Sequence, residues 1–186
     1  YLKTRQWQWE VRAVAANEMG TLLAVFTMIT GVLFSKVQWG AWWQWDPRQT
    51  SFLLVLLLFL GYFALRAAHP DETQRASFSA AYAVAMLVPT VFLIFVAPRI
   101  MASFHPNSVI VTGGFMPEYR LVLYGVGLAL LCVTFWIYRL RVRVGLAEKA
   151  METYYDRLDD RRRAAAGGVA RPVPISDQGG VAPGND

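Results

Sequence analysis

The chain has 186 residues, of which 55% are hydrophobic, 14% aromatic and only 17% charged, with a formal net charge of +5 and a mean hydropathy of +0.33. A soluble globular chain carries about 25% charged residues, and here the 18 bases and 13 acids are segregated between long apolar runs, which argues against an ordinary soluble domain. The single cysteine, Cys132, lies in one of those runs, which rules out a disulfide framework or a cysteine-rich metal site within the chain.

Taken in order, the uncharged runs are Met19 to Ser35 (17 residues), Gln49 to Leu65 (17), Ala76 to Pro98 (23) and Leu121 to Tyr138 (18). As helices they measure roughly 26 to 35 Å, against a hydrocarbon core of about 30 Å. A buried soluble helix is the bland alternative for the two shorter runs, but four such runs in so short a chain are hard to bury otherwise. They predict an all-α integral membrane protein with four transmembrane helices, over about 16–35, 49–67, 76–98 and 119–138. In the third span, Ser77, Ala81 and Ala85 repeat every four residues and predict close approach of a neighbouring helix, and Pro89 predicts a kink.

The bases sort by side. Lys3, Arg5, Arg12, Arg66, Arg75 and the nine from Arg139 to Arg171 fall together; Lys36, Arg48, Arg99 and Arg120 fall on the other side. The positive-inside rule then places both ends of the chain in the cytoplasm, and the loops Lys36 to Arg48 and Arg99 to Arg120 outside. Residues 1–138 are expected to form the membrane domain. Residues 139–186 are expected to form a cytoplasmic basic helix, with acids at i,i+4 pairing distance, followed from Gly167 by a disordered tail. Acids interleaved with the bases favour an anchor on anionic membrane lipid over nucleic-acid binding.

Four of the seven tryptophans fall within seven residues, in the run Trp39-Gly40-Ala41-Trp42-Trp43-Gln44-Trp45-Asp46-Pro47-Arg48-Gln49-Thr50. An interfacial aromatic belt uses one or two rings per span. Four indoles beside an acid and a base suggest instead a surface on which a large planar ligand lies. Haem is such a ligand: its macrocycle is flat and apolar, its propionates are anionic, and its iron takes an axial donor such as neutral imidazole. Arg48 is suited to a propionate through a forked, charge-assisted bond. Asp46 either orients Arg48 or a tryptophan N–H, or caps the helix that Pro47 begins.

This run resembles the tryptophan-rich WWD signature, roughly WGxWWxWDxRxT, of the membrane haem-handling proteins of cytochrome c maturation. It is closest to the CcmC type and more distantly similar to the CcmF and CcsA types, and the likeness extends loosely from about Trp7 to Arg143. The resemblance implies a six-helix protein of the bacterial inner membrane with the tryptophan loop on the periplasmic side. It implies that haem b is held there between two external histidines and presented to a periplasmic haem chaperone, with ABC-type membrane and ATPase subunits as partners. The chain opens on Tyr1 in a polar, aromatic stretch rather than on Met, and the expectation is that two further helices, with one of those histidines between them, precede it. For the second histidine, the family position a few residues after a proline matching Pro89 holds Phe92 here.

The candidate cofactor residues are therefore Trp39, Gly40, Trp42, Trp43, Trp45, Asp46, Arg48 and His105, with His105, in Phe104-His105-Pro106, the candidate iron ligand on the outer side. Met101 and Met116 are softer alternatives, His69 is expected only to punctuate a short loop, and Gly113-Gly114 is a turn signal. No phosphate loop, zinc-type spacing or paired carboxylates in an apolar setting point to catalysis, so the chain is expected to bind and transfer haem rather than to be an enzyme. The alternative is a membrane subunit or permease whose aromatic loop docks a periplasmic partner without haem. A b-type electron-transfer subunit is disfavoured, because no span contains a histidine.

Overall fold

A computed structural model describes residues 1–105 and 116–165. The tail beyond residue 165, and with it the expected disorder from Gly167, and the Gly113-Gly114 turn lie outside the described residues.

All the regular elements among the described residues are helical: α1 (Trp7–Trp39), α2 (Pro47–Ala68), α3 (Glu72–Val91), a π-helical turn (Phe92–Val96), α4 (Ala97–Ile100) and α5 (Pro117–Ala165). Four helical stretches are long and apolar enough to cross a membrane: α1, α2, the continuous Glu72–Ile100 stretch and α5. These are the four expected spans, but α1 starts earlier than its apolar run and α5 continues well past residue 138. At 1.5 Å per residue α5 is roughly 74 Å long, more than twice the thickness of the hydrocarbon. Its polar half is one helix with its apolar half.

Each boundary has a local cause. α1 stops at Gly40, whose φ of 81° is the left-handed conformation that glycine adopts without penalty, and its N–H closes on the Lys36 carbonyl. α2 begins with Asp46 as N-cap and Pro47 at its first turn, and α3 with Asp71, whose carboxylate accepts from the Gln74 amide at 2.7 Å. His69 ends α2, with Nδ1 2.9 Å from the Leu65 carbonyl oxygen and its ring against Phe78. Pro89 does not stop α3. The irregularity falls one turn later, where Phe92–Val96 widens into a π-turn.

α2 packs between α1 and α3, whereas the backbone of α5 approaches only α1. Among the described residues buried apolar side chains are few: Ala15, Ala24, Val55, Tyr62, Ala76, Ala97 and Val142. Against lipid, Leu-rich surfaces gain nothing by turning inward, so small residues mark the helix contacts. The expected ridge is corrected here. Ala76 and Ser79 are the buried positions on α3, Ala81 and Ala85 are exposed, and Ser77 is only half-buried, accepting a bond from Arg5 Nη1 at 2.6 Å. Close approach occurs instead at Gly61, which lies under Tyr82, and at Gly20, under the Phe59 ring.

At the start of α1 charged side chains hold the helices together. Glu10 pairs with Arg66 at 2.9 Å, Glu18 accepts a two-pronged pair from Arg141 at 2.7 and 3.0 Å, and Lys149 bridges to Glu72. Beside them Gly145 lets α5 rest on Val11: a Cβ there would lie 2.7 Å from Val11 Cγ1. Gly145→Leu should therefore destabilise the protein by about 1–3 kcal/mol, read as a lower Tm in detergent. Gly127→Ala, where a Cβ meets nothing within 4 Å, should leave the Tm unchanged or slightly raised.

Candidate functional site

The tryptophan run lies at the opposite end of the bundle, some 30 Å along α1 from the ion pairs. It forms a short loop from Gly40 to Asp46 that returns the chain from α1 into α2. Neighbouring polar groups fix its path. Ser35 Oγ donates to the Ala41 carbonyl at 2.8 Å, Lys36 Nζ to the Gly40 carbonyl at 3.0 Å and Gln44 Nε2 to the Trp39 carbonyl at 3.2 Å, while the Gln44 amide donates to Gln49 Oε1 at 3.2 Å. Trp45 sits at φ 55°, a left-handed conformation that is strained for a bulky residue.

That strained residue delivers Asp46 into the interior. Asp46 is 2% exposed, and its carboxylate accepts from the Arg48 amide at 2.9 Å, from Ser103 Oγ at 2.7 Å and from the Phe104 amide at 2.9 Å. His105 Nδ1 lies 3.4 Å from its Oδ1. One carboxylate thus caps α2 and ties down the segment after α4. Capping, one of the tasks expected of Asp46, is observed at the Arg48 amide.

A groove of about 420 Å³ opens beside this junction. Its floor is one stretch of α1, including Thr27, Gly31 and Phe34, with Phe52 of α2; Trp39, Arg48, Gln49 and His105 close the loop end. The His105 ring meets Trp39 edge-on at 4.7 Å and stacks on Phe34 at 6.4 Å. The groove therefore gathers an indole, a guanidinium and an imidazole over an apolar floor. These residues suit haem: an apolar trough for the macrocycle, a cation for a propionate and a nitrogen donor for iron.

The remaining candidates are placed differently. Trp43 and Trp45 pack edge to face at 5.6 Å, and Trp42 lies under Lys36 Nζ at 5.7 Å. Neither these three rings nor Gly40 line the groove, and the four indoles do not form one flat surface. Trp42 and Trp45 are 55% and 73% exposed. Phe92 is exposed on the π-turn and also lies outside the groove, as does Met101. Residues that sequence reasoning passed over include Ser35, Gln44, Gln49 and Ser103, which carry no type-specific signal. Thr27, Gly31 and Phe34 recur at helical spacing, a small-and-aromatic face that was open to detection.

Electrostatics favour a neutral imidazole. Burial pushes the His105 ring down; Asp46 pulls it up and Arg48 pushes it down, and the net value lies below the ordinary 6.5. Burial raises the Asp46 carboxyl, but the Ser103 hydroxyl, the Phe104 and Arg48 amides and the His105 ring outweigh it and hold it below 3.8. Because the fold prefers neutral His105, its contribution to stability is complete above about pH 6.5 and falls as the pH drops toward the lowered value. A proton NMR titration of His105 should give a midpoint below 6.5. Asp46→Ala, which frees the segment that buries the ring, should move that midpoint back toward 6.5.

An all-helical, multi-pass membrane protein with an aromatic groove ended by a cation and an imidazole is the class that fold and site define. Residues 2–156 match the CcmC family, described as heme exporter protein C, and the chain belongs to that family. It is 32% identical over 148 residues to heme exporter protein C of Escherichia coli K12, covering 77% of this chain and 60% of that protein. It is 40% identical over 80 residues to heme exporter protein C of Paracoccus denitrificans, covering 43% and 32%. With that of Rhodobacter capsulatus it shares 39% over 82 residues, covering 44% and 33%. The chain thus spans between about a third and three fifths of the length of these relatives.

Proposed function

We propose that this protein binds haem b in the groove beside the tryptophan loop, at the periplasmic face of the bacterial inner membrane. There it presents haem to a periplasmic haem chaperone for cytochrome c maturation, working with ABC-type membrane and ATPase subunits. The observation that carries the reading is the convergence of Trp39, Arg48 and His105 on one apolar groove from three separate parts of the chain. Membership of the heme exporter protein C family supports the cargo, and the segregation of Lys and Arg supports the orientation.

Each residue has a distinct task. Arg48 pairs with a propionate, Trp39 packs on the macrocycle and holds the His105 ring edge-on, and His105 offers a neutral nitrogen as axial donor. Bound haem supplies an iron centre with an open demand for axial ligands; the protein supplies binding, orientation and a dry trough. The task is capture and release of the cofactor, with no bond of the macrocycle made or broken.

Protein purified in detergent and loaded with haem should show a Soret band. His105→Ala should shift the band or strip it. Gly31→Trp should lower haem occupancy severalfold without loss of the fold, because a Cβ at Gly31 meets nothing within 4 Å and the added indole would fill the groove. Unchanged occupancy in both variants would remove the groove as the site.

A second reading rests on the exposed Trp42 and Trp45, which lie outside the groove and suit a docking surface for a periplasmic partner. Partner binding that is equally tight with and without haem would favour docking alone. Binding that tightens with haem would join the two roles in one loop.

A further inference from the structure

We infer that Asp46 is a positioning residue that fixes His105 in the Nδ1–H tautomer, so that Nε2 is the nitrogen offered to a ligand in the groove. The inference deepens the haem reading and rests on it for the identity of the ligand. The tautomer itself follows from the hydrogen bonding alone.

Among the described residues two groups face His105 Nδ1: Asp46 Oδ1 at 3.4 Å and Ser103 Oγ at 3.3 Å. The carboxylate can only accept. Ser103 spends its single hydroxyl hydrogen on Asp46 Oδ2, at 2.7 Å, and accepts from the His105 amide at 3.1 Å, so it too presents lone pairs to the ring. With acceptors on both sides, Nδ1 must carry the proton, which leaves the lone pair on Nε2. A neutral histidine has one of each, and an iron ligand needs the lone pair. A carboxylate behind a ligating imidazole also makes the ligating nitrogen more basic and locks the ring's orientation.

The same carboxylate determines where the ring is. Asp46 holds Ser103 and Phe104 by side chain and backbone, and so places the segment after α4 against Trp39 and Phe34. Arg48, two residues along, lines the same groove. Asp46 therefore links the propionate-binding cation to the axial donor without itself touching the ligand, which its own negative charge would repel if the ligand presented a carboxylate.

The test needs no haem at first. The chain has only two histidines, so ¹⁵N-labelled histidine in the protein, with His69→Gln for assignment, resolves the His105 ring in detergent at pH 7. The expected result is a protonated Nδ1 and an unprotonated Nε2. In Asp46→Asn the amide cannot serve the Arg48 and Phe104 amides together, and with its oxygen kept on Ser103 and the Phe104 amide its NH₂ faces the ring. The proton should then move to Nε2 and haem affinity should fall by about 10–100-fold, with free imidazole restoring the wild-type axial spectrum. Wild-type His105 protonated on Nε2 would overturn the inference, as would an Asp46→Asn protein with unchanged tautomer and spectrum. If the variant fails to fold, the wild-type tautomer decides alone. If the wild type shows Nδ1–H but takes up no haem, the haem reading fails while the tautomer assignment stands.

Discussion

A single buried carboxylate determines the shape of one end of this protein. Asp46 sits where α1 has turned back into α2, and a bare carboxylate there, almost without solvent, would be strongly unfavourable. It is tolerated because three donors converge on it from both sides, the Arg48 amide from its own helix and the Ser103 hydroxyl and Phe104 amide from the far side of the bundle, with the His105 ring beside them. The strained backbone of Trp45 is the local consequence, held in place by the bonds that Asp46 makes next to it. Without that convergence the tryptophan loop and the histidine would belong to separate parts of the surface.

The other end depends on charge in a different way. The bundle has little apolar core, since its spans face lipid and gain little from packing on one another. α5 illustrates this: its apolar half, from Leu121 to Ile137, remains exposed along its length, and it is tethered through Arg141, Gly145 and Lys149 beyond that half. The Glu18–Arg141 pair is about a third exposed on each side, so its value lies in registering α5 against α1 more than in raw stability.

The two ends together give the groove its character. Helix faces of small and aromatic residues, Thr27, Gly31, Phe34 and Phe52, form a trough, and the loop end supplies the polar groups. Arg48, in the first turn of α2, and His105, after α4, lie far apart in the chain, yet the Asp46 junction brings both to one rim. The haem site we propose rests on that combination of an apolar trough with a cation and an imidazole at one rim.

Much of this was legible in the amino-acid order, because hydrocarbon is an unforgiving solvent: apolar runs of spanning length must be helices, and their number and approximate limits follow from where charge stops. The density of indoles beside Asp46, Pro47 and Arg48 likewise marked the loop, and local chemistry made a cap one of the tasks open to Asp46; that Gly40 stops α1 came from the structure. Contact could not be read in the same way. Which face of α3 packs, that only Trp39 of the four indoles lines the groove, and that His105 rather than position 92 faces it all depend on helix rotation and on a hydrogen-bonded junction between residues nearly sixty positions apart. Such pairing leaves no periodic signal in a single sequence; the tertiary structure decided it, because only folding brings Ser103, Phe104 and His105 within reach of a carboxylate that otherwise has no partner beyond its own helix.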